Sequence, residues 1–177
     1  MDDSPAPTGH SGNGPRTQQH ESRQHCETGM IASTDLTQTI CILVFRGYPR
    51  DCESARIVDF CVITDDGNNT DTTYRLVGSR GSYGLSASPG QGNIHTRPHF
   101  VRQFHVATVP VVSVEDRRLH DLVSGTSIHN ENPEWTRWTW LDNVLGALTS
   151  AGIITSDEAI EIIDATIDCV SSAPYPD

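Results

Sequence analysis

Apolar residues are spread unevenly along the chain. Between Met1 and Met30 there is no Val, Ile, Leu, Phe, Tyr or Trp. Such a stretch cannot bury enough surface to offset the entropy of ordering it. Residues 1–35 therefore read as a disordered leader and residues 36–177 as a single domain, with order beginning near Ile31 or Leu36. Thr39 to Arg46 (TICILVFR) is a β-branched and aromatic run halted by Gly47 and Pro49, a strand ended by a turn. Arg56 to Thr64 (RIVDFCVIT) and Thr72 to Gly78 (TTYRLVG) flank the turn-forming cluster Asp65–Asn69, which predicts an antiparallel hairpin with a long loop. Ser79 to Pro98 is rich in Gly, Ser and Pro and predicts an exposed loop. Phe100 to Val109 sets Phe100, Arg102, Phe104 and Val106 on one side and Val101, Gln103, His105 and Ala107 on the other, a half-buried fourth strand.

Helical spacing follows. Ser113 and Asp116 are placed like a capping box, with Leu119, Leu122 and Val123 apolar before Gly125. Trp138, Leu141, Val144, Leu145 and Leu148 recur on one helical face, stopped by Gly152. Thr155 and Glu158 open a last helix whose Ile160, Ile163, Ile167 and Val170 point inward and whose Glu161, Asp164 and Asp168 meet water. Strands followed by helices predict an α+β fold, an antiparallel sheet of about four strands packed on two to three C-terminal helices.

Charge narrows the chemistry. The net charge is -11, which repels phosphate backbones and anionic membranes and removes nucleic acid and membrane from the expected partners. All 12 basic residues are arginine. Without lysine there is no Schiff base, pyridoxal-phosphate anchor or phosphate-loop lysine. The five cysteines match neither CxxC zinc pairs nor a compact disulfide framework, and reduced thiols fit best. Met1 to Pro15 is polar and carries Asp2 and Asp3, unlike a secretory signal. A cytoplasmic protein is predicted.

The densest cluster is Glu134-Trp135-Thr136-Arg137-Trp138-Thr139-Trp140, which holds every tryptophan. A cation is unfavourable in the first turn of a helix, so Arg137 needs a compensating acid or an electron-rich ligand. The alternative is a packed aromatic core with Arg137 snorkelling to water. Asp59 interrupts an otherwise apolar strand; it is either a partly buried site carboxylate or a charge guarding an edge strand. His95, His99 and His105 lack ligand spacing, so no metal is expected, and no cofactor motif is present. His105 is a candidate acid or base, or an ordinary surface histidine. No GxSxG elbow occurs, and no helix follows Gly78, Gly81 and Gly84 directly as a phosphate loop requires.

LVFRG at Leu43–Gly47, the strand from Arg56 and the block WTRWTWLDNVLGALTSAGII resemble a group of small fungal proteins similar to permuted papain-like cysteine hydrolases. The resemblance implies a permuted papain-like fold with a Cys–His dyad at a helix N-terminus and a neighbouring strand. Here the cysteine position falls on Arg137 and the histidine position on or beside Ile57, so both halves are missing. It further implies a cofactor-independent protein of natural-product biosynthesis that binds a small apolar metabolite or promotes its cyclisation or isomerisation. Arg137, Asp59 and His105 are then the candidate catalytic groups, and Trp135, Trp138, Trp140 and Arg56 the substrate contacts. Two other classes stay open: a residual hydrolase using Cys61 or Cys41, and a non-catalytic interaction module.

Overall fold

A computed structural model describes residues 36–68, 70–90 and 93–174; the expected leader lies outside them. β1 (Thr37–Phe45), β2 (Ile57–Asp65), β3 (Thr70–Val77), β4 (Gly84–Pro89) and β5 (Phe100–Pro110) precede α1 (Arg118–Ser124), α2 (Arg137–Ser150) and α3 (Ser156–Ser171). The strands form one antiparallel sheet in the order β4-β3-β2-β1-β5. The sheet thus has five strands rather than about four. The extra one, β4 (GLSASP), lies inside the segment predicted as a loop. It pairs with β3 from Thr72↔Pro89 to Val77↔Gly84, so partner hydrogen bonds hold a run with little β propensity of its own.

β1 has strands on both sides and side chains buried on both faces, which explains its unbroken apolar run. On one face Ile40, Ile42, Val44, Phe60, Val62 and Phe104 meet Leu119, Val123, Trp140, Leu141, Leu145 and Leu148 from the helices. Each such side chain contributes about 1.5–3 kcal/mol on full burial. On the other face Cys41, Leu43, Phe45 and Cys61 are roofed by Ile94, carried on the 3-10 turn Ile94–Thr96.

Thr136–Thr139 and Thr155–Glu158 form reciprocal capping boxes on α2 and α3, the second as predicted. Ser113–Asp116 does not cap α1. That helix starts at Arg118 without a side-chain cap, and the Asp116 carboxylate pairs with Arg118 instead. α3 is also rotated from the predicted face. Thr166, Cys169 and Val170 are buried, with Ala159, Ile162 and Ile163 packed on the core, whereas Ile160 and Ile167 are exposed. No helix among the described residues is long and apolar enough to cross a membrane.

Candidate functional site

α2 begins where β2 begins, and its N-terminus faces the start of that strand. Arg137, its first residue, donates from Nη1 to the Arg56 carbonyl oxygen at 2.8 Å. No acidic residue occupies the first turn, so this carbonyl is what offsets the cation there. Arg56 is itself buried. It donates from Nε and Nη2 to Asp51 at 3.0 Å each, and from Nη1 to the Cys169 carbonyl oxygen near the end of α3. A cation at a helix C-terminus is favourable, so Arg56 chiefly ties β2 to α3. The hydrogen bonds from Arg56 hold the Asp51 carboxyl below its usual range.

Two hollows flank this junction. One, of about 380 Å³, is lined by Cys52, Ser54, Arg56, Arg137, Trp138 and Val170. The other, of about 290 Å³, is lined by Ile57, Arg75, Tyr83, Arg137, Trp138 and Trp140. Arg137 and Trp138 belong to both, as a divide between them. The half-buried Trp138 suits an aromatic wall. Trp140 is buried edge-on against Phe60 at 5.9 Å, and its indole N–H has no partner among the described residues. Trp135 does not belong to the site. It is 3% exposed, packs on Tyr83 at 5.6 Å and lines neither hollow.

The structure does not bring Arg137, Asp59 and His105 together. β2 is an interior strand, so Asp59 is no edge guard; it is fully buried on the face away from the helices. Arg75 holds it from Nε at 2.7 Å and Nη2 at 2.6 Å. Burial pushes the Asp59 carboxyl above its usual range, and Arg75 offsets only part of that. Asp59 meets the α2 hollow only through Arg75, which lines it. His105 lies on β5, exposed, sharing a 3.0 Å hydrogen bond with Thr108 Oγ1.

Cys41 and Cys61 face each other across β1 and β2, both fully buried. Cys61 donates to Asp71 Oδ2 at 3.3 Å. Cys41 beside it, burial and Asp71 all push the Cys61 thiol up, which disfavours the thiolate that a nucleophile needs. Among the described residues no group of three His, Cys, Asp or Glu is placed to hold a metal ion.

Arg75 and Tyr83 line the hollow without having been singled out in the sequence. Arg75 was legible as the cross-strand complement of Asp59, since both interrupt apolar alternation. Comparison with protein-family models, curated proteins and solved structures gave no match.

Proposed function

We propose that the chain binds a small, mostly apolar molecule carrying a carbonyl or carboxylate oxygen, without a cofactor, in the hollow beside the start of α2. One observation carries the reading: Arg137 and Trp138 stand beside a hollow whose lining is largely apolar, including Ile57, Val58, Leu76 and Leu141. Few polar groups in an apolar wall are what such a ligand needs. Trp138 supplies ring surface, and Arg137 polarises the ligand oxygen or neutralises its charge.

The same residues favour binding over turnover. Cyclisation or isomerisation needs a proton carrier, and Asp59 lies behind Arg75 while His105 is distant in the sheet. The kinship with permuted papain-like hydrolases belongs to this proposal. It is supported by Arg137 contacting the backbone of Arg56, the neighbour of the position where the resemblance places the histidine. A cytoplasmic, fungal natural-product intermediate is the ligand class that kinship points to.

Camphor, a compact ketone, and camphane, the same skeleton without oxygen, test the reading. Trp138 is the half-buried tryptophan, so acrylamide quenching reports on it. Camphor is expected to shield it and camphane to do so far more weakly. Arg137→Ala should weaken camphor about tenfold or more, the loss of one hydrogen bond to a charged group. Equal shielding by both compounds, or an unchanged response in Arg137→Ala, overturns the proposal.

A further inference from the structure

A second concave surface lies on the opposite face of the sheet, about 590 Å³ in volume and lined in part by Phe45, Arg46, Tyr48, Asp59, Arg75 and Arg97. Its charge runs against that of the chain. Three guanidiniums, Arg46, Arg75 and Arg97, line it in a protein of net charge -11. Two carboxylates answer them: Asp59 in the floor, and Asp71, which takes two 2.7 Å bonds from Arg97 Nη2. Asp51 also feels Arg46 but is paired with Arg56, so one positive charge is left over.

Donors remain available. Arg75 spends Nε and Nη2 on Asp59, leaving Nη1 without an acceptor among the described residues, and its side chain is 42% exposed. Arg46 is exposed, and its guanidinium has no hydrogen-bond partner among the described residues. The floor is also rigid. Asp59 and Asp71 fix the planes of Arg75 and Arg97, and a Cβ on Gly90 would fall 1.8 Å from Asp71 Oδ1. Only glycine lets the backbone close down on that carboxylate.

The rim carries an aromatic side chain that burial does not explain. Tyr48 is 81% exposed, its ring 6.2 Å from His99. His99 sits at φ 64, a left-handed conformation uncommon outside glycine and enriched where ligands are held. Its carbonyl accepts from the Arg46 N–H at 2.7 Å, which pins the strained turn to the end of β1. Phe45 lies under the Arg75 guanidinium at 5.9 Å.

We infer that this groove binds a small aromatic monocarboxylate, its carboxylate between Arg46 and Arg75 and its ring against Tyr48. Planar guanidiniums match a carboxylate in geometry, and a single negative charge cancels the excess. A phosphate dianion overshoots it beside Asp59. The site shares Ile57, Arg75 and Val77 with the α2 hollow but includes none of Arg137, Trp138 and Trp140.

Calorimetric titration of the full chain with benzoate, benzamide, acetate and inorganic phosphate tests the assignment. Benzoate should bind with one-to-one stoichiometry, and benzamide, acetate and phosphate at least about tenfold more weakly. Arg46→Gln should weaken benzoate about tenfold, and Tyr48→Ala should weaken benzoate while leaving acetate unchanged. Both residues are exposed, and circular dichroism checks that each variant keeps the fold. Benzamide or phosphate binding as well as benzoate overturns the inference. So does benzoate affinity that ignores Arg46→Gln and Tyr48→Ala, or that falls with Arg137→Ala instead.

Discussion

Arg75→Met and Asp59→Ala should not cost the same, although they break one ion pair. Methionine keeps the apolar stem of Arg75 but leaves a carboxyl at 0% exposure with no donor. The penalty at pH 7 is capped by protonation, from an ordinary value of 3.8. At about 1.36 kcal/mol per pH unit that ceiling is about 4 kcal/mol, within the range for breaking a buried pair. Asp59→Ala strands a guanidinium that is 42% exposed and can turn to water. Its cost should be nearer 1–2 kcal/mol, roughly that of the lost hydrogen bonds and a small cavity. The folded Asp59 in Arg75→Met has a raised pKa, so the carboxyl stabilises the folded state fully below 3.8 and loses that contribution as pH rises through the folded value. Loss of Arg75 removes the hydrogen bonds that lower the Asp59 pKa, so the Arg75→Met deficit should shrink as pH falls from 7 toward 5. Urea unfolding followed by tryptophan emission reads both quantities. Equal costs, or a deficit that is flat or grows on acidification, would refute the reasoning.

Two further outcomes follow from buried groups. Cys41 and Cys61 should resist iodoacetamide in the folded protein while the partly exposed Cys52 reacts, as mass spectrometry of labelled peptides would show; rapid labelling of Cys61 would restore the hydrolase reading. Burial, then Arg117, lowers the His120 pKa, against the opposing pull of Asp121 and Asp116, and its Nδ1 lies 2.6 Å from Tyr74 Oη. The unfolded chain therefore takes up the proton first, and the contribution of His120, present above about 6.5, is lost as pH falls toward the folded value. The melting temperature of wild type should drop more steeply between pH 7 and pH 5 than that of His120→Gln, and parallel curves would refute this.

The sequence was most legible where one signal ruled. TICILVFR is apolar on both faces because it sits mid-sheet, and Thr155–Glu158 caps a helix by local chemistry alone. GLSASP misled because its strand state comes from the neighbour and not from its own side chains. Asp59 misled because edge and interior strands differ only in strand order, and β2 is interior because both β1 and β3 pair with it. The α3 face was misjudged because Ile160 and Ile167 are apolar yet turned to solvent, while Thr166 is buried and bonds its own helix at the Ile162 carbonyl. In the candidate site, the tryptophan cluster identified the right helix start. Arg97 escaped notice because Asp71, its partner, lies 26 residues away in the sequence.

β1 through β4 can zip together as successive hairpins while the polypeptide is still being synthesised. The outer hydrogen-bonding side of β1 cannot, because its partner is Phe100–Pro110. Until that segment emerges, Ile40, Ile42 and Val44 present an open strand margin whose covering helices do not yet exist either. A ribosome stalled short of β5 would therefore hold a sticky nascent sheet, and chaperone capture should be needed most during that interval of translation.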